Sequence, residues 1–272
     1  MKTNLLKLTI ILVVIFSGCK KDEGSQQTVI PPPISYIKSI NVYDTTGVLR
    51  IIQTLEYDTL HRLKKLTDLE LGTNPDSILL TFTFNYSEVR VFIKETISTG
   101  PNYSFTITYY LNSSGLPDSS IYVSLASPTD STYQRYAYTY NSDDQLATKG
   151  LKNADSITGT FIYHYLNRNV DYSNVVPSHQ NSKTMYFYSL EHFNTIGNEN
   201  AGMGFLGKSC LNPLIRARYD GMTVDMANYT YEYDQVNRIS KVVVNGNPIM
   251  PGVDFFSVPM MMQHQVMVYT YY

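Results

Sequence analysis

A tyrosine followed six residues later by leucine or isoleucine, across a polar turn, recurs five times in this chain: Tyr43/Leu49, Tyr57/Leu63, Tyr110/Leu116, Tyr140/Leu146 and Tyr233/Ile239. The residues between are turn formers, as in Asp44-Thr45-Thr46-Gly47 and Asn141-Ser142-Asp143-Asp144. A five-residue loop sets its flanking residues opposite each other on one face of a hairpin, where ring and aliphatic side chain pack for about 0.5 kcal/mol. One such hairpin cannot bury its own apolar face, so a chain built from repeats of it must lay them side by side.

The segments between turns alternate with a period of two. From Ile78 to Tyr86, Ile78, Leu80, Phe82, Phe84 and Tyr86 share a face, with Thr81, Thr83 and Asn85 opposite; Ile157, Phe161, Tyr163 and Tyr165 alternate in the same way with Thr158, Thr160 and His164. Turn signals recur at 72–76, 100–102, 127–130 and 153–155. These patterns predict an all-β fold: an antiparallel up-and-down meander of Tyr-rich hairpins forming a large curved sheet or a barrel. It occupies one domain, 36–272, with a less regular insert at about 167–211. The 24 tyrosines, with no tryptophan, suit strands. With a net charge of −2 and no basic block, nucleic acid is not an expected partner.

Residues 1–18 read as a lipoprotein signal peptide. Lys2 and Lys7 lead into an apolar run from Leu8 to Phe16, shorter than the ~20 residues a spanning helix needs. The run closes on Ser17-Gly18-Cys19, which resembles a bacterial lipobox, cut before a cysteine that then carries the lipid. Acyl chains at ~0.8 kcal/mol per buried methylene would hold the protein on a membrane. Lys21, Asp22 and Glu23 resemble the surface-export signal of lipoproteins from one Gram-negative phylum, and also fit a plain solvated charge run. Residues 19–35 form a polar, proline-stiffened tether. The expected location is the outer membrane, lipid-anchored, at the cell surface. With Cys19 acylated, Cys210 has no disulfide partner.

Glu56-Tyr57-Asp58-Thr59-Leu60-His61-Arg62-Leu63-Lys64-Lys65 and Glu232-Tyr233-Asp234-Gln235-Val236-Asn237-Arg238-Ile239-Ser240-Lys241 resemble the tyrosine-aspartate repeat of Rhs-type and teneurin shells. There, Tyr-x-Tyr-Asp-x-x-Gly-Arg-Leu hairpins stack into a large β-sheet; glycine is missing from the turn in both copies here. With its anchor, the chain resembles more closely an uncharacterised Bacteroidetes-type lipoprotein family of "porin-like" fold. That family carries similar hairpins and a Gly-Lys-Ser-x-Asn-Leu-like segment, matched loosely by Gly207-Lys208-Ser209-Cys210-Leu211-Asn212-Pro213-Leu214. The resemblance implies a porin-like fold and brings no activity with it.

Residues 202–209, GMGFLGKS, satisfy the phosphate-loop pattern through Gly202, Gly207, Lys208 and Ser209. A working phosphate loop follows a buried strand and opens a helix, so that backbone N–H groups face the phosphates. Here the preceding residues, 192–200, are polar and turn-like, and Pro213 would cost the following helix ~3 kcal/mol. The expectation is a glycine-rich loop and no nucleotide. His61, His164, His179, His192 and His264 never fall at metal-ligand spacing, so neither metal nor cofactor is expected. Cys210, two residues from Lys208, reads either as an activated thiol or as a buried bystander. Thr45, Thr59, Ser77, Ser131 and Ser156 each follow an aspartate, in a pattern that resembles an O-glycosylation acceptor for exported proteins of the same phylum. Turn chemistry explains the same pairs, because Asp bonds its own backbone.

The function these observations favour is non-enzymatic: binding or scaffolding at the cell surface, with a glycan or an envelope protein as ligand. One alternative is a glycan hydrolase using two carboxylates. Another is a membrane-embedded barrel, for which tyrosines at strand ends would be an aromatic girdle; Glu70, Lys94, Glu95 and Arg135 interrupt the strands against it.

Overall fold

The computed structural model describes residues 34–72, 78–97, 104–127, 130–153, 156–176, 183–247 and 264–272. Sixteen strands run in chain order: β1 Ile37–Tyr43, β2 Leu49–Tyr57, β3 Leu63–Glu70, β4 Ile78–Tyr86, β5 Arg90–Ile97, β6 Ser104–Leu111, β7 Pro117–Ser127 and β8 Asp130–Tyr140, then β9 Leu146–Asn153, β10 Ser156–Leu166, β11 Asn169–Val176, β12 Lys183–Tyr188, β13 Leu214–Tyr219, β14 Ala227–Tyr233, β15 Ile239–Gly246 and β16 His264–Tyr271. Each pairs antiparallel with its sequence neighbours, and β16 closes on β1. The meander expected from the alternation is therefore a closed barrel, a solution that leaves no open sheet edge.

Strand alternation divides the wall into a largely buried, mostly apolar face and a more exposed, mixed one, where Ile52–Leu69 and Val243–Val266 sit among polar pairs. One carries Ile40 and Val42, Ile51 and Leu55, Phe82 and Phe84, Val91 and Ile93, Val242 and Val244, Met267 and Tyr269, all buried. In a barrel standing alone only the lumen side can be shielded so completely, so the apolar face is the inner one. The outer face carries Glu56–Lys65 and Glu232–Lys241 ion pairs at 3.2 and 2.6 Å, and hydroxyl pairs Ser39–Thr270 and Thr139–Thr148 at 2.7 Å. Lys94 pairs with Thr83, and Arg135 with Lys152, on that outer face. Glu70 and Glu95 turn out otherwise. They sit opposite Ile51 and Phe82, on the inner face, because each falls in register with a lumen residue.

Five hairpins share one device. The first loop residue is Asp44, Asp58, Asn112, Asn141 or Asp234, and its Oδ1 accepts the backbone N–H groups two and four residues on. The fourth loop residue then takes a left-handed conformation: Gly47, His61, Gly115, Asp144 and Asn237. In three of the loops the second carboxylate oxygen also holds an arginine, Arg50, Arg62 or Arg238, at 2.7 to 2.8 Å. The Thr46 hydroxyl and these neighbours hold the Asp44 carboxyl far below the usual range. At Asp58 and Asp234 burial pushes upward, and bonds from Arg62 and Arg238 outweigh it.

The residue just before the Asp or Asn sets the register. Tyr43/Leu49, Tyr57/Leu63, Tyr140/Leu146 and Tyr233/Ile239 face each other as predicted. Tyr110/Leu116 does not: Leu111 faces Pro117 instead, since Asn112 opens that loop, and Tyr110 is left on the outside.

The expected insert is shorter than 167–211. Asn167 and Arg168 form a two-residue turn with φ of 51° and 63°, and β11 and β12 follow as wall strands. Buried Ser173, bonded to the Tyr186 hydroxyl at 2.9 Å, is a polar residue on the apolar face, and it hides the alternation there. Arg168 is exposed and needs φ > 0, the conformation of an Asn-Gly turn. Arg168→Gly is expected to raise stability by about 0.5–1 kcal/mol in urea unfolding, with far-UV dichroism as the probe.

Candidate functional site

Up-and-down connectivity brings the ends of all even-numbered strands to one end of the barrel. Each carries a tyrosine at its last or next-to-last position there: Tyr57, Tyr86, Tyr110, Tyr140, Tyr165, Tyr188, Tyr233 and Tyr271. Four hydroxyls donate to the carbonyl of the first residue of the preceding strand: Tyr57 to Ile37, Tyr86 to Leu63, Tyr165 to Leu146 and Tyr271 to Ile239, at 2.6 to 2.8 Å. Tyr231 does the same to Leu214. Tyr57, which marks a repeat, thus shares its kind of rim tie with Tyr86, Tyr165, Tyr231 and Tyr271, which do not.

Residues 189–213 cross that rim as a plug. Its backbone accepts from Ile37 and Leu63 through Asn200 and Gly202, and donates to Asp144 and Arg168 through Lys208 and Leu211. Thr195 Oγ1 accepts the Ile239 N–H at 2.8 Å, and Asn200 holds the Ser35 carbonyl. Ala201, Met203 and Leu206 drop into the apolar lumen core. GMGFLGKS lies within this plug, and its glycines are explained by contact. A Cβ at Gly202 would stand 2.6 Å from the Tyr57 ring, and one at Gly207 2.7 Å from the Tyr140 ring. The N–H groups a phosphate would use are engaged elsewhere: Gly207 with the Gly204 carbonyl, Lys208 with Asp144, and Ser209 with the Glu199 carboxylate. Lys208 Nζ lies 3.1 Å from Asp144 at the surface. Burial raises the Cys210 thiol, whose Sγ lies 3.4 Å from the Tyr188 hydroxyl, so nothing activates it.

Beside the plug lies an open groove of about 470 Å³. Tyr36 and His61 stack in it at 4.7 Å and 10°, the Arg62 guanidinium sits 4.4 Å over the Tyr86 ring, and Phe205 meets Tyr86 edge-on at 6.0 Å. Glu199, also in the lining, is the carboxylate bonded to Ser209. The sequence names His61 and Arg62 as residues of a hairpin turn and Tyr86 as one of an apolar strand face, and does not bring them together with Tyr36, Glu199 or Phe205.

A second cavity, of about 260 Å³, lies within the lumen against β6–β9, lined by Phe105, Tyr122, Gln134, Tyr136 and Lys149 among others. Next to it, Glu95 accepts the Phe105 N–H, and burial pushes its carboxyl up to about 7. Between pH 4.5, where an ordinary glutamate ionises, and about 7, the folded chain therefore holds a proton the unfolded chain has lost. Stability falls as pH rises through that window. Glu95→Gln removes the penalty, and is expected to gain about 1–2 kcal/mol at pH 8 over its effect at pH 4, after screening by lumen water. Urea titrations at the two pH values measure it.

Thr45 and Thr59 are exposed in their turns. Cys19, Lys21, Asp22, Glu23 and Ser77 lie outside the described residues, as do the side chains of Ser131 and Ser156. His61, His164 and His192 stack on Tyr36, Tyr172 and Tyr233 at 4.0 to 4.7 Å. Asp68, the other buried inner carboxylate, accepts from Gln53 Nε2 at 2.9 Å.

No family model matches the chain, and no curated protein does. Among solved structures, a porin-like protein from Bacteroides uniformis superposes with a TM-score of 0.60 at 15% identity, covering 88% of this chain and 99% of that one. A porin-like protein from Bacteroides vulgatus matches with a TM-score of 0.48 at 10% identity, over 88% and 99% of the two chains. At this identity the first likeness carries the fold alone. The chain is an all-β closed barrel, similar in fold to a protein described as porin-like.

Proposed function

We propose that this protein is a lipid-anchored surface binding protein without enzymatic activity, and that its barrel is a scaffold and not a diffusion pore. The observation that carries this reading is the plug. Residues 189–213 seal one rim through backbone bonds and seat apolar side chains in the lumen, leaving an aromatic groove beside the seal. The outer face mixes apolar pairs such as Ile52–Leu69 with Lys94, Arg135 and the Glu56–Lys65 and Glu232–Lys241 ion pairs, and those charges support anchoring by lipid over burial of the strands, which would need an apolar band ~25 Å tall. Stacked rings flanked by Arg62 and Glu199 suit a glycan, whose C–H faces lie on aromatic surfaces while its hydroxyls take polar partners.

The anchor rests on Cys19 and the lipobox-like residues before it. Cys19→Ala is expected to move the protein wholly from the outer-membrane pellet to the soluble fraction; a variant that still pellets overturns the anchor. For the ligand, the barrel from Ser35 onward is applied to a glycan array alongside Tyr36→Ala. Binding to a defined polysaccharide that weakens at least tenfold in the variant supports the groove. A blank array turns the reading toward an envelope-protein ligand. Asp-Ser and Asp-Thr turns such as those of Thr45 and Thr59 would carry sugars in the native host, visible as mass increments lost on substitution by alanine.

A further inference from the structure

The plug rim carries aliphatic side chains at its tips that the fold does not use. Leu60 in the β2–β3 turn, Val89 in the β4–β5 turn, Leu166 at the end of β10, Leu190 just after β12 and Val236 in the β14–β15 turn stand at 61–80% exposure. Turn chemistry does not ask for them. Leu60 and Val236 hold the third place of the Asp loop, where the backbone N–H donates to Asp58 or Asp234 Oδ1 and the side chain is left in solvent. The same place holds Thr46, Ser114 and Asp143 in the other three loops. Charge in the two aliphatic loops is closed internally, by Arg62 on Asp58 and Arg238 on Asp234 at 2.7 Å. The chain also joins the barrel at this rim. Ile34 is exposed beside the groove, the Ser35 carbonyl accepts from the Asn200 side chain of the plug, and the Ile37 N–H donates to the Asn200 carbonyl. Whatever holds Cys19 is therefore reached from this rim, through residues 20–34.

We propose that the plug rim is a membrane-facing surface, whose aliphatic tips enter the headgroup layer of the bilayer that holds the Cys19 lipid. This orientation rests on the lipid anchor proposed above, and confines the groove's glycan to one carried at the membrane surface. Aliphatic side chains grouped at one end of a protein, with no use inside the chain, gain by leaving water. The contact is expected to be weaker than the ~10⁴ M⁻¹ of one myristoyl chain, so it does not keep an unanchored chain in a membrane pellet. An anchor on a short tether raises the local concentration to about millimolar, and there the same contact sets which way the barrel faces.

Flotation with vesicles tests this on the chain from Lys20 onward, which keeps every described residue and carries no acyl chain. One set of vesicles is phosphatidylethanolamine with phosphatidylglycerol; the other, without net charge, is phosphatidylcholine. Saturable binding to both is expected, half-complete on the order of 1 mM lipid. Leu60→Ser, Leu190→Ser and Val236→Ser together should weaken it at least about tenfold, since one leucine fully leaving water already supplies that factor. Val224→Ser, at an exposed valine in the β13–β14 turn of the other rim, should leave it unchanged. Serine suits these loops, because Ser114 fills the same place between β6 and β7. If thermal midpoints show that the triple variant fails to fold, Leu190→Ser alone should weaken binding about threefold. No binding at about ten times that lipid concentration, undiminished binding by the serine variants, an equal loss in Val224→Ser, or binding to the anionic vesicles only each overturns the proposal. Failure of the anchor reads out separately, in the full chain with Cys19→Ala, and leaves vesicle binding by the lipid-free chain as it is.

Discussion

Gly202→Val is expected to cost about 3 kcal/mol or more, with Gly204→Ala, two residues on, close to neutral. The contrast comes from what each side chain would meet. At Gly202 a Cβ would lie 2.6 and 2.8 Å from the Tyr57 ring and 2.8 Å from the Leu63 backbone nitrogen; at Gly204 nothing lies within 4 Å. The Leu63 nitrogen cannot retreat, because it donates to the Gly202 carbonyl at 2.9 Å and begins a wall strand. Tyr57 cannot swing out without breaking its bond to the Ile37 carbonyl. Gly202 also sits at φ +69, where a side chain costs about 1–2 kcal/mol and a β-branched one more. Overpacking adds typically 1–3 kcal/mol. Urea unfolding followed by tyrosine fluorescence, usable because the chain has no tryptophan, measures both variants. A loss below 1 kcal/mol at Gly202 would mean that the plug does not press on the rim as described.

The glycine loop also marks the boundary of what the sequence can say. Alternation in segments such as 78–86 names both faces of a strand, because one residue in two must meet the lumen. The turns are equally legible: Asp or Asn after the tyrosine fixes register through its own side chain, and where Asn112 shifts by one place the register shifts with it. Closure is not written locally. It depends on β1 meeting β16, more than two hundred residues apart, and no pattern within a hairpin reports it. The plug is harder still. Its residues are polar and irregular because their partners are rim backbone groups from at least five different hairpins and strands, and contacts of that kind leave no period. Tyr57 is visible as a hairpin marker, yet its hydroxyl tie to the preceding strand, like those of Tyr86, Tyr165 and Tyr271, needs the folded rim. Both cavities arise from residues separated along the chain and joined by register alone.

The largest single loss is expected at Gln145. Its side chain is completely buried, and Nε2 donates to the Arg168 carbonyl at 2.7 Å and to the Ser209 carbonyl at 3.1 Å. One amide therefore joins the β8–β9 turn, the β10–β11 turn and the plug. Gln145→Leu keeps the volume and removes both donors. Each carbonyl left unsatisfied costs about 1–3 kcal/mol, so the expected total is about 3–5 kcal/mol. Gln145→Glu discriminates this from lost packing, since it keeps the shape but presents a carboxylate to two carbonyl oxygens. It should be at least as damaging as leucine at pH 8. Below about pH 4 its protonated form recovers one donor, and part of the loss returns. The same variants show whether plug and wall unfold together. Limited proteolysis cutting within 189–213 at urea concentrations where dichroism still reports an intact barrel would make the plug a separately opening unit. Coincident transitions, expected from its backbone bonds to Ile37, Leu63, Asp144 and Arg168, would make it part of one cooperative fold.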